Sequence, residues 1–290
     1  MRKRLSLLAS LLILAGAPQA SGWGQLGHAA TAKVAQDHLS PKAKKALAQY
    51  LGPDTIVSVA SDADTYRDVW TLDLGFKPTN PEAARVAWLT GFDFSSPENI
   101  APYSHSVTVD KDFVSLKSDN LNGAYVNNCA YYVERMAREL KEGAQTMDPA
   151  ERKRKISLIV HFLGDMHCPM HLVYLGRDEV KGGFKVTVRD KQYRYHSWWD
   201  GGVISMATPF SYGDIAALAD TKSKKEIKEI TKGDIYDWVH ESAVDSWPAH
   251  NVKAGDSLDK AFPVEMRPIL FNQIRNGGYR LAALLNDIFK

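Results

Sequence analysis

Residues 156–166, ISLIVHFLGDM, constrain this chain more than any other stretch. Apolar side chains fall on every face of a helix built from them, so that helix has to lie in the interior. It takes two polar groups inside with it. His161 and Asp165 are four residues apart and share one face, and no Lys or Arg occurs between Ile156 and His171 to neutralise the carboxylate. Burying an unpaired charge is costly, which leaves a metal ion as the natural counter-charge, held by imidazole nitrogen and carboxylate oxygen. Pro169 lacks a backbone donor and is expected to end or kink the helix. His171 therefore need not continue the face of His161, and a second ion suits it better than a crowded first one. The spacing of four recurs at His196 and Asp200, in YHSWWDGG. Each pair alone is more commonly a solvated pair on a helix. Several in one chain shift the balance towards metal.

The rest of the chain supplies helices to surround such a core. Ser40-Pro41 is an N-cap followed by proline at the first helical position, and Ala43, Ala46, Leu47, Tyr50 and Leu51 share a face before Gly52. Residues 124–140 repeat that spacing through Val126, Ala130, Val133, Ala137 and Leu140. Asp234 caps a helix running through Ser246, and residues 269–289 read as helix despite Gly277-Gly278. Strand signals are few: residues 184–195 form one short hairpin turning at Arg189-Asp190-Lys191. Residues 72–102, rich in Pro, Gly, Asn and Ser, read as a loop-rich insertion. With no repeat or linker, and 290 residues of ordinary globular composition, the expected fold is mainly α, a single compact helical domain over residues 23–290 with one short β-hairpin.

Residues 1–22 read as a secretory signal: Arg2, Lys3 and Arg4 precede an apolar stretch over 5–15, and Ala20-Ser21-Gly22 places small residues before a cut at Trp23. That stretch is too short to span a bilayer unaided, and no later segment is apolar enough, so no stable membrane insertion is expected. With no N-x-S/T site anywhere, the expected destination is the periplasm or the medium. The formal charge of +2 falls to −1 without the three basic residues. A near-neutral protein cannot hold a polyanion by bulk electrostatics, so a nucleic-acid partner would have to be gripped locally. Cys129 and Cys168 could form a single disulfide, and a chain this long can bury enough core without one.

Ordered motifs span the whole of residues 23–290: WGQLGH at 23–28, SDADTYR at 61–67, HFLGDMHCPMH at 161–171, Gly182-Gly183, HSWWD at 196–200, WVHES at 238–242 and GYRLA at 278–282. Together they resemble the S1/P1 nuclease family, which is related in fold and metal site to bacterial zinc-dependent phospholipase C. The resemblance implies three Zn2+ ions. One would be held by the freed amino group and carbonyl oxygen of Trp23 with His28, and bridged by Asp165 to a second ion that also takes Asp64, His105 and His161. His171, His196 and Asp200 would hold the third. Signal cleavage then belongs to the chemistry, because an amide nitrogen at residue 23 cannot act as an amine ligand. The resemblance also implies hydroxide attack on phosphorus, since a metal lowers the pKa of water towards roughly 7. Asp64 would orient the nucleophile and Arg67 would steady the phosphate oxygens. Arg67 has the plain alternative of pairing with Asp64 or Asp68. His105 enters the set through the resemblance, and no other histidine lies between residues 38 and 161 to take that place.

The expected activity is that of an exported zinc phosphodiesterase or endonuclease cutting single-stranded DNA or RNA to 5′-phosphate ends, with 3′-nucleotides as further substrates. Two alternatives stand beside it: a zinc-dependent phospholipase C and a catalytically silent zinc-stabilised binding protein. An aromatic residue and an acidic one that read the base in typical family nucleases are replaced by Ser106 and Thr108. Gly201 and Phe184 stand where relatives often carry Asn. Base stacking is worth about 1–3 kcal/mol per base, so these departures favour the lipid alternative unless Tyr103, Phe113 or a loop aromatic substitutes. His196-x3-Asp200 favours the nuclease, since the phospholipase relatives carry Glu at the second position. His167 is expected to support or pack, His38, His240 and His250 to be surface or satisfied residues, and Trp198 and Trp199 to be core and pocket wall.

Overall fold

A computed structural model describes residues 23–65, 105–115, 129–174 and 183–290. Arg67, Tyr103, Gly182, the leader expected over 1–22 and the insertion expected over 72–102 lie outside the described residues. The architecture is mainly helical, as the periodicity predicts. Helix α1 (Gly24–Asp37) follows Trp23, and α2 (Pro41–Leu51) starts where the Ser40 side chain accepts a hydrogen bond from the Ala43 N–H. After the one-turn α3 (Asp62–Thr65) and strand β1 (Val107–Val109) come α4 (Cys129–Gly143) and α5 (Pro149–Asp165). Helix α5 begins earlier than its apolar run: Asp148 caps it through the N–H groups of Ala150 and Glu151, Pro149 occupies the first turn, and every residue from Ile156 to Asp165 is buried. It stops at Asp165, and Pro169 opens a single 3₁₀ turn, Pro169–His171, leading into β2 (Leu172–Tyr174).

The hairpin β3 (Lys185–Val188) and β4 (Lys191–Arg194) turns on Arg189 and Asp190, both at positive φ of 50° and 64°. Two consecutive left-handed residues form the turn whose twist matches an antiparallel pair. The longer helices that follow are α6 (Tyr212–Ala219), α7 (Lys224–Ile230), α8 (Ile235–Ser246), capped by Asp234, and α9 (Arg267–Ile288). The structure adds two pairings that the sequence reading lacks. Strand β5 (Ser257–Leu258) joins β3 in parallel, and β1 pairs in parallel with β2, Val107 opposite Leu172. No helix among the described residues is long and apolar enough to cross a membrane.

Helix α9 is the spine, packed against α1 over much of its length. Gly277 and Gly278 do not break it; they let the two helices approach. A Cβ on Gly278 would lie 2.5 Å from Val34 Cβ and 2.9 Å from the Thr31 carbonyl, and one on Gly277 would lie 3.1 Å from the His167 ring. Helices α1, α4 and α5 enclose one apolar cluster, and Trp23, Trp198 and Trp199 belong to a second on the hairpin side. Buried polar residues, among them His161, Asp165 and His171, sit where these clusters meet.

Candidate metal centre

Asp165, fully buried at the last position of α5, is ringed by imidazoles. His28 of α1 lies 3.3 Å away, His105 2.9 Å, His161 3.1 Å and His171 3.4 Å. Every ion pair that Asp165 makes among the described residues is with histidine. Each ring is aimed by backbone or by packing. His161 Nδ1 donates to the Ala60 carbonyl at 2.8 Å, leaving Nε2 to face Asp165 and His105. His171 Nδ1 donates to the carbonyl of His105, so Nε2 faces Asp200 at 3.7 Å. A hydrogen bond at one ring nitrogen fixes the tautomer and presents the other as a ligand. His28 stacks on His161 with ring centroids 3.9 Å apart, and it lies over Gly164, where a Cβ would meet its Nδ1 at 2.7 Å.

The parallel β1–β2 pair brings His105, just before β1, beside His171, just before β2. Asp64 reaches the same place from α3, 3.7 Å from both His105 and His161. His196 and Asp200 lie 3.3 Å apart, and Asp200 sits in a π-helical turn, Trp198–Val203, that widens the winding after a single α-turn. Trp23 is buried beside this turn. Gly24 takes a left-handed φ of 59°, and a Cβ there would lie 2.5 Å from the Asp200 carbonyl oxygen. The chain therefore enters the fold against the backbone of Asp200.

Electrostatics make the ring unstable as a set of neutral neighbours. Burial opposes the charge on Asp165, but His171 and His161 outweigh it and hold the carboxyl well below the usual range. Burial lowers His161 and His171 too, yet the Asp165 carboxylate drives each up to about 9. His105 is pushed down to about 4 by burial, and burial raises Asp200 to about 7. Protons on two rings thus stand in for a cation. His28, Asp64, His105, Asp165, His171 and Asp200 each retain a buried nitrogen or oxygen without a hydrogen-bond partner. Orphaned donors of this kind, converging without Lys or Arg, fit divalent ions.

The donor atoms fall into three groups within 4.8 Å: His28, His161 and Asp165; Asp64, His105 and His161; Cys168, His171 and Asp200. His161 belongs to two groups. Cys168 belongs to the third, a place that residue spacing does not reveal; it forms no disulfide with Cys129, and both cysteines are free and buried. The cue available was its place inside HFLGDMHCPMH.

The other histidines lie away from the ring. His167 donates through Nδ1 to Leu163 and accepts from buried Arg280 at 2.9 Å, so it is neutral and held to about 3 by burial and that guanidinium. His38 bonds Asp220, His240 the Phe113 carbonyl and His250 the Pro169 carbonyl. Thr108 is buried within β1, and Phe113 packs on Tyr174 and Trp247.

The sequence profile of the S1/P1 Nuclease family matches residues 23–290. The chain is 26% identical over 300 residues to Endonuclease 2 of Arabidopsis thaliana, covering 98% of this chain and 96% of that protein. It is 25% identical over 299 residues to Nuclease P1 of Penicillium citrinum, with 92% and 97% covered. Nuclease S1 of Aspergillus oryzae is 25% identical over 305 residues, with 96% of each covered.

Proposed function

Because the chain belongs to the S1/P1 nuclease family, we propose that it is a zinc-dependent nuclease hydrolysing phosphodiester bonds of single-stranded DNA or RNA to 5′-phosphate ends, and 3′-nucleotides as well. The observation that carries this reading is the buried Asp165 carboxylate within 3.4 Å of four imidazoles. Three zinc ions would be held, one by Trp23, His28 and Asp165, one by Asp64, His105, His161 and Asp165, and one by His171, His196 and Asp200. When bound, such ions supply Lewis acidity, lower the pKa of water towards roughly 7 and draw charge from phosphate oxygens.

The chain's own residues orient the reaction. Asp64 and His196 are the most exposed of the described donor side chains, at 16% and 21%, and so mark the side from which a phosphate enters. Asp64 would orient the attacking water, and Arg67, three residues on, would steady the phosphate oxygens. Buried Asp165 and His161 contact no solvent and keep the site rigid. Zinc phospholipase C activity is the second reading, favoured by one observation: Thr108 is enclosed in β1 and cannot read a base. Elemental analysis of the purified protein, with parallel assays on single-stranded DNA, RNA, 3′-nucleotides and phosphatidylcholine, separates the two. Zinc content with lipid turnover alone would reject the nuclease.

Two variants test the centre. Asp165→Asn should lose more than one equivalent of zinc and melt at lower temperature, because one carboxylate serves several rings; unchanged stoichiometry would exclude a bridging role. We also place removal of residues 1–22 before metal loading, with the protein then soluble in the periplasm or the medium. A form retaining one residue before Trp23 should bind less zinc and lose activity at least about tenfold. Full zinc in that form would remove the amino group from the ligand set.

A further inference from the structure

The two cysteines of this chain are equally buried but differently placed. Cys129 points into the apolar cluster, with its sulfur 4.0 Å from the Phe162 carbonyl oxygen. Cys168 also borders an apolar cluster, the second one, but it lies one turn past Asp165, and the 3₁₀ turn Pro169–His171 folds the chain back so that His171 donates its N–H to the Cys168 carbonyl at 2.9 Å. That turn sets Sγ of Cys168, a nitrogen of His171 and an oxygen of Asp200 within 4.8 Å of one another. The partners are not satisfied. His171 Nε2 and both carboxylate oxygens of Asp200 are buried and have no hydrogen-bond partner, although each residue is only 3% exposed. A neutral thiol is a weak single donor and cannot satisfy a carboxylate and an imidazole together. An ion touching all three could.

We propose that Cys168 is a metal ligand, and that the pocket of Cys168, His171 and Asp200 holds a borderline-soft divalent cation through sulfur, nitrogen and oxygen. His196, 3.3 Å from Asp200, adds a further nitrogen to the same pocket. As the sulfur–metal bond forms, the thiol proton passes to solvent and no electron changes hands. Thiolate selects zinc, cadmium or cobalt over magnesium and calcium, so this pocket should be the most selective of the three. A donor set of four also leaves less room for water than the open coordination expected of a zinc that activates it. The ion here then serves to hold charge rather than to generate the nucleophile. The inference rests on the metal reading above and adds a donor that the imidazole and carboxylate motifs do not supply.

The test is cobalt reconstitution of the chelator-stripped protein, with cobalt content measured alongside the near-ultraviolet spectrum of the wild type, Cys168→Ser and Cys129→Ser. A sulfur-to-cobalt charge-transfer band is expected in the wild type and in Cys129→Ser, and its loss in Cys168→Ser. Competition with a chromophoric chelator should show at least about tenfold weaker binding of one ion in Cys168→Ser, since even residues that only support metal ligands are worth ~10–100-fold. Full cobalt loading without the band overturns the thiolate ligand and leaves the metal centre standing. Absence of cobalt uptake in all three proteins overturns both. A band that vanishes in Cys129→Ser assigns the wrong sulfur and also refutes the proposal. Should Cys168→Ser fail to fold, the wild type and Cys129→Ser still decide, because the chain has two thiols.

Discussion

Gly164 shows how closely single residues define this site. Glycine inside a helix costs up to about 1 kcal/mol relative to alanine, so Gly164→Ala, one residue before the end of α5, would ordinarily stabilise it. Here the added methyl would meet His28 Nδ1 at 2.7 Å, and His28 is clamped between that glycine and the His161 ring. The clash outweighs the propensity. We expect Gly164→Ala to keep its helix content by circular dichroism while losing zinc and at least about tenfold in activity, since small displacements of positioned groups are expensive. At this scale the sequence is informative where spacing suffices. His161 and Asp165 are legible as neighbours from four-residue spacing on an apolar helix, and the missing Lys or Arg makes their need for a cation legible too. Cys168 is not, because its approach to Asp200 depends on a turn after Pro169 that no periodicity announces.

Among the elements, capped amphipathic helices are the part that can be read directly. Ser40-Pro41 and Asp234 announce α2 and α8 by local hydrogen-bond chemistry, and those helices begin where the caps stand. The three-residue ladder of β1 and β2 cannot be read the same way: Val107-Thr108-Val109 and Leu172-Val173-Tyr174 are too short to show a period, and parallel pairing leaves no turn between them as a signal. Gly277-Gly278 carries the opposite lesson. Judged by propensity it weakens α9, yet the pair exists for the crossing with α1, a tertiary demand that overrides local preference. Gly278→Ala should therefore destabilise the protein by about 1–3 kcal/mol through overpacking on Val34 and the Thr31 backbone. Chemical denaturation would detect it as a lower midpoint at unchanged slope.

For the molecule as a whole, the charge pattern of the ring predicts how stability follows pH once metal is removed. His161 and His171 rise from 6.5 to about 9, so their stabilisation is complete below pH 6.5 and is lost as pH climbs through 9. His105 and His167 fall from 6.5 to about 4 and about 3, so the unfolded chain binds their protons first and stability drops as pH falls below 6.5. Asp200, raised from 3.8 to about 7, contributes most below 3.8 and loses that contribution by 7, which opposes the two histidines only in part. The melting temperature of the chelated protein should peak near pH 6.5 and decline towards 9. Zinc-saturated protein should keep its stability across that alkaline limb, because ions replace the protons, and metal uptake at pH 7 should release acid. Parallel melting curves with and without chelator check both limbs. The β1–β2 ladder has a further consequence for how the molecule is made. Its partners are distant along the chain, and a slip of one residue would turn the side chains of either strand to the opposite face. Helices can form early and locally, whereas the cation pocket waits for this late, long-range registration. Metal acquisition is thus expected as a finishing step, open to chains whose two short strands have found their register.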